Sequence, residues 1–99
     1  MNETETETGP RWNEVKAELF TDGGNDAVVR LLGRNFPGVL IQGDTLSTLQ
    51  ADVAELAELC AAGDLEEARH VASLLHADLG TKLVRYTEAL EAHWISRPF

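Results

Sequence analysis

Basic residues are scarce in this chain. Its 99 residues hold 8 lysines and arginines against 17 aspartates and glutamates, a formal charge of −9. Affinity for nucleic acid rests on neutralising phosphates, so an acidic surface disfavours DNA and RNA and favours a basic protein as partner. Cysteine is nearly absent as well. Cys60 stands alone, which excludes an internal disulfide and leaves no second thiolate for a zinc site. Long apolar runs are missing: Val39-Leu40-Ile41 is typical in length, far short of the roughly 20 residues of a membrane-spanning helix. The N-terminus shows no basic segment leading into an apolar stretch, so no signal peptide is expected and the reading is cytoplasmic. Aromatic residues are few, and Trp12, Phe36, Trp94 and Phe99 stand near segment ends.

Hydrophobic residues make up 43% of the sequence, enough for one modest core in one domain. The acidic charge is unevenly placed. Residues 44–80 contain eight acids against Arg69 alone, whereas residues 11–43 hold four acids and four bases. The alternating Glu-Thr tract that ends in Gly9-Pro10 has no large apolar residue after Met1. It predicts a disordered acidic tail over residues 1–12, followed by a single α+β domain over 13–99.

Residues 13–20 alternate, with Val15, Ala17 and Leu19 on one side and Glu14, Lys16, Glu18 and Phe20 on the other. That is the period of a half-buried strand. A run of turn-forming residues, Thr21 to Asp26, separates it from Ala27-Val28-Val29-Arg30-Leu31-Leu32, and the pair reads as a β-hairpin. Gly33 to Gly38 forms a second connection, in which Pro37 holds Phe36 extended. Val39 to Gln42 then makes a third strand. The expected sheet is a three-stranded antiparallel meander within residues 13–43.

Gly43-Asp44 marks a change of period. Asp44 is expected as an N-cap, and Leu46, Leu49, Val53, Leu56 and Leu59 or Cys60 give the following helix one apolar face to about Ala62. Gly63 is placed to end that helix, and Asp64 with Glu67 has capping-box spacing for the next. A second stripe, through Ala68, Ala72, Leu75, Leu79, Leu83, Tyr86 or Thr87, Leu90 and Trp94, runs past Gly80 and predicts one helix over about 64–94. A break at Gly80 is the alternative, because a mid-helix glycine costs about 1 kcal/mol relative to alanine. With so short a connection the two helices form an antiparallel hairpin. The fold expected is α+β: a three-stranded antiparallel β-meander followed by a two-helix hairpin, with the helix stripes and one sheet face sharing the core.

No catalytic set emerges from the sequence. There is no serine in a strained Gly-flanked turn and no Walker-type glycine loop. Ser47, Ser73 and Ser96 lack a histidine at useful spacing. Cys60 lies on or beside the apolar stripe and reads as a buried, inert thiol rather than a nucleophile. Glu66 or Glu67 with His70 has helical spacing for two ligands, but structural zinc usually requires four. No cofactor, metal or catalytic residue is assigned.

Three stretches resemble known families. Ala17-Glu18-Leu19-Phe20-Thr21-Asp22-Gly23 followed by Ala27-Val28-Val29-Arg30-Leu31 resembles the opening of swapped-hairpin antitoxins and transition-state regulators of the AbrB/VapB type. That resemblance implies a dimeric, DNA-binding hairpin using Lys16, Arg30 and Arg34; Glu18 stands where that family often has lysine. Gly63 to Arg69 resembles the start of a tetratricopeptide helix, in a chain with room for a single such unit where solenoids need about three. The A-V-V-R-L strand, the stretch from Gly33 to Asp44 and the one from Arg85 to His93 together resemble a family of small uncharacterised bacterial proteins, a domain of unknown function. This last resemblance covers residues 14–99 and implies a bacterial origin.

The reading is a non-enzymatic acidic binding module, immunity-protein-like or regulatory, with a basic protein as partner. A homodimer is open to it, and a DNA-binding hairpin regulator is the alternative. The residues expected to meet the partner are Arg34 and Phe36, beside the rigid Pro37 turn, and Asp52, Glu55 and Glu58 on the first helix.

Overall fold

Period-2 patterning followed by period-3.6 patterning yields the expected order of elements. The computed structural model describes residues 11–99, so the tail expected over 1–12 lies outside the described residues except for Arg11 and Trp12. Three strands come first: β1 (Ala17–Leu19), β2 (Ala27–Leu31) and β3 (Gly38–Leu40). They form one antiparallel sheet in the order β1-β2-β3. Glu18 sits opposite Arg30, and Val28 opposite Val39. Two helices follow, α1 (Gly43–Ala62) and α2 (Leu65–Ala92). Gly80 lies inside α2, in open space where an added Cβ would meet nothing within 4 Å.

The helix ends show why the chain turns where it does. Gly63 adopts the left-handed conformation (φ 77°), its amide donates to the Cys60 carbonyl and that of Asp64 to the Leu59 carbonyl. This is a Schellman turn, at the residue type that enters it without a Cβ clash. The Asp64 carboxylate then accepts from the Glu67 amide at 3.2 Å and starts α2. The backbone amide of Asp64 is already used by Leu59, so Glu67 does not complete a reciprocal box. The start of α1 departs from expectation. Gln42 occupies the cap in extended conformation without a side-chain bond, which places Asp44 inside the first turn, where its carboxylate accepts only from the next amide, Thr45. A carboxylate there still complements the positive end of the helix.

The far end of α2 corrects a second expectation. Trp94 does not continue the apolar stripe into the core. It leaves the helix in left-handed conformation (φ 58°) and is 95% exposed. The reason is another Schellman turn: the Trp94 amide donates to Glu91 and the Ile95 amide to Leu90. Ile95 is thereby returned against the core beside Leu90, the hydrophobic contact that accompanies this motif.

The core is built on α2. Val28, Tyr86, Ala89 and Leu90 are buried together, with Phe20, Val39 and Ile95 packed around them. Towards the start of the helix, Ala68, Val71 and Leu75 are buried at the level of α1. α2 is therefore a spine, about 42 Å long at 1.5 Å per residue. The sheet covers its C-terminal half and α1 its N-terminal half. The radius of gyration is 18.5 Å, well above the roughly 13 Å of a compact chain of this length. No helix among the described residues is long and apolar enough to cross a membrane.

Candidate protein-docking surfaces

The sheet is fastened to α2 at both ends by polar contacts. In the β1–β2 turn the Thr21 hydroxyl accepts from the Val28 amide, and the Asp22 carboxylate accepts from the Gly24 amide. The same Asp22 carboxylate accepts from Arg85 at 2.9 Å, and Arg85 also donates to the Asp26 carbonyl. Lys82 donates to the Asp26 carboxylate at 3.1 Å and to Asp78 at 3.4 Å. The Asp26 hydrogen bond is the main reason the Lys82 ammonium is held above its ordinary pKa, desolvation working against it and the charges of Asp26 and Asp78 with it. At the β2–β3 loop, the buried Tyr86 hydroxyl donates to the Pro37 carbonyl at 2.7 Å. These groups, drawn from positions far apart in sequence, have no signature that sequence reading detects.

Strand alternation then decides what the sheet shows to solvent. Phe20, Val28 and Val39 turn toward α2. Glu18 and Arg30 share that face: their side chains pair at 2.6 Å, and the Arg30 guanidinium lies 5.4 Å from the centre of the Phe20 ring. The hydrogen bond from Arg30 is the leading cause that holds the Glu18 carboxyl below its ordinary range. The opposite face carries Ala17, Leu19, Val29, Leu31 and Leu40, aligned by the register Ala17↔Leu31, Leu19↔Val29 and Ala27↔Leu40. Leu19, Leu31 and Leu40 are each about half exposed. The apolar side of β1 is thus the outward side, and the single Phe20, on the other, is the residue that enters the core.

Arg34 and Phe36 border this outer face. They are exposed and line a cleft of about 490 Å³ with Val29, Leu31, Pro37 and Leu40. A second cleft, of about 510 Å³, lies on the loop side between Arg34, Phe36 and Pro98. The acids expected beside them fall elsewhere. No residue of α1 lines either cleft. The acids are also divided among themselves. Asp52 is half-buried, in register with Thr45, Leu49, Leu56 and Leu59, the side of α1 that faces α2. Glu55 and Glu58 are exposed. The structure therefore brings Arg34 and Phe36 together and leaves Asp52, Glu55 and Glu58 as a separate, split group.

α1 has no buried residue. Its wide apolar face is covered along one edge only, and Cys60, expected inside, is exposed. Beside α2 an open groove of about 340 Å³ runs among Val39, Ile41, Leu79, Leu83, Tyr86 and Phe99. The Phe99 ring stacks on Tyr86 at 6.3 Å and supplies one wall. Among the described residues no three His, Cys, Asp or Glu side chains converge as a metal site would require.

A short β-meander laid on one end of a long helical hairpin, with apolar surface left open on both parts, defines the class: a small α+β domain with exposed apolar faces. The chain belongs to the family of unknown function DUF6959, whose model matches residues 12–99. That match bears out the resemblance to a domain-of-unknown-function family read from the strand, loop and helix-end stretches. No curated protein and no solved structure matches the chain.

Proposed function

We propose that this protein is a non-enzymatic binding module for another protein, of the immunity-protein-like or regulatory kind in a bacterial system. The observation that carries the reading is the outer sheet face. Leu19, Leu31 and Leu40 stand about half exposed on a sheet whose other face is packed, and Phe36 and Arg34 frame an open cleft at its edge. Apolar surface ringed by polar groups, with an aromatic beside a proline-fixed turn, suits a buried anchor. Glu55 and Glu58, exposed on α1, add negative potential that speeds the approach of a basic partner without lying in the contact. The bacterial and immunity-like elements draw on the small size, the charge of −9 and the family resemblance.

A DNA-binding hairpin is less well supported. Of the three cations it would use, Arg30 already pairs with Glu18. Lys16 and Arg34 alone give a weak phosphate footprint on a chain of this sign.

The test takes a partner found by cross-linking in the source cells and titrates it against variants. Leu31→Lys and Phe36→Ala should each weaken binding at least tenfold with unchanged circular dichroism. Glu55→Lys with Glu58→Lys should slow association and flatten its salt dependence. Unchanged affinity in both Leu31→Lys and Phe36→Ala counts against the sheet face. Nanomolar, sequence-specific DNA binding lost in Arg30→Ala would instead favour the hairpin regulator.

A further inference from the structure

The helical hairpin carries a second apolar face, and its position follows from helix geometry. On α1 the half-buried residues Thr45, Asp52 and Leu59 mark the seam with α2. Leu46, Val53 and Cys60 each follow one of them by a single position, about 100° round the helix. On α2 the seam passes through Ala68, Val71 and Leu75. Leu65, Leu79 and Leu83 fall about 40–80° round from Leu75 in the same sense. Because the helices run antiparallel, the same sense of rotation carries both stripes to one side of the hairpin. The five leucine and valine side chains among these six residues are each 50–68% exposed. The groove lined by Leu79, Leu83, Ile41 and Phe99 continues this side to the edge of β3.

We propose that a second copy of this chain covers this face, giving a two-fold dimer in which two helical hairpins close into a four-helix bundle. Four observations select a second copy. The five large side chains expose on the order of 500 Å², at the upper end of what a monomer shows in one patch. With the small residues between them they approach the ~800 Å² per partner of a standard interface. The face presents two rows, Leu46, Val53 and Cys60 at seven-residue spacing on α1 and Leu65, Leu79 and Leu83 on α2, which a like hairpin can pack against by two-fold symmetry. Its charge fits as well. Glu55 and Glu58 of α1 and Glu67 and Asp78 of α2 lie round the other side of their helices, and the ionisable α2 side chains on this side are Arg69 and His76, so two copies meet here without opposing acids. A basic partner would find no anion on this face. Finally, α1 is a 20-residue helix with no buried residue in the single chain, and this contact supplies its missing cover.

The proposal concerns the helical face and stands or falls separately from the sheet-face reading. Sedimentation velocity at about 100 µM, above the dissociation constants of modest interfaces, should give twice the 10.8 kDa chain mass. Val53→Asp and Leu83→Asp, at positions half exposed in the single chain, should each keep the helical circular dichroism and sediment as monomer. Leu74→Asp, on the opposite side of α2, should leave the dimer intact. As a second readout, Cys60 should react with a thiol reagent several-fold more slowly per molecule in concentrated than in dilute wild-type protein. A wild-type chain that stays at 10.8 kDa overturns the proposal. So does a dimer that survives Val53→Asp and Leu83→Asp, or one dispersed by Leu31→Asp but not by them.

Discussion

α2 is one helix with two unlike halves. From Lys82 to Leu90 it touches the sheet through a fully buried Leu90, a buried tyrosine bonded to the Pro37 carbonyl and two cations anchored on the β1–β2 turn. From Leu65 to Leu79 it touches α1 through Ala68, Val71 and Leu75, and no polar side chain among the described contacts joins the two helices. One end is tied by packing and hydrogen bonds from several elements; the other is a pair of helices sharing a narrow seam. Local stability follows the density of such ties, so the sheet end should open last and the hairpin end first.

Substitution tests the contrast most strongly at the core. Leu90→Ala should cost about 3 kcal/mol and Leu56→Ala, half-buried in the α1 seam, about 1 kcal/mol, both read by urea denaturation of dilute protein. Equal losses would erase the distinction. Tyr86→Phe leaves the buried Pro37 carbonyl without its donor and should cost about 1–2 kcal/mol in the same assay. Lys82→Met should cost about 1 kcal/mol at neutral pH, since Asp26 and Lys82 are mostly covered, with side-chain exposures of 19% and 13%. Because the folded Lys82 pKa is raised, this contribution is complete below the ordinary lysine value of 10.5 and fades as pH rises through the higher, folded value. The gap in melting temperature between wild type and Lys82→Met should therefore narrow at strongly alkaline pH.

Two changes should stabilise. Trp94→Gly places a residue without Cβ at φ 58° and should gain about 1 kcal/mol, seen as a higher melting temperature. Loss of stability there would mean that the exposed indole makes a contact the fold depends on. Gly80→Ala should gain about 0.5–1 kcal/mol, because the position is helical and its Cβ direction is open. It also lies at the join between the two halves of α2, so a gain confirms that the helix needs no flexibility there.

The order of elements was legible because each is punctuated locally. Gly63-Asp64 stops one helix and starts the next, and Thr21 to Asp26 can only be a turn. The continuity of α2 through Gly80 followed from its unbroken apolar stripe. What was not legible is which of two apolar surfaces is covered. Val15, Ala17 and Leu19 outnumber Phe20 on β1, yet Phe20 enters the core because cross-strand register puts it beside Val28 and below Arg30. α1 is apolar over so wide an arc that Leu46 and Leu49 look equivalent, and only the angle at which α2 docks tells them apart. Trp94 fitted the stripe by spacing, but Ile95 competed for the same core position and the helix ended to admit it. Of the residues expected at a site, Arg34 and Phe36 share a cleft because one tight loop holds both. Asp52 was separated from Glu55 and Glu58 by the same docking angle, which a sequence does not encode locally.

Amide hydrogen exchange, followed in dilute protein and again in concentrated protein, tests the contrast between the two halves most directly. The account predicts that in dilute protein the amides of β2 and of residues 82–90 exchange slowest, those of α1 well faster, and that concentration slows α1 far more than the sheet. Equal protection of α1 and residues 82–90 in dilute protein, with no dependence on concentration, would contradict it.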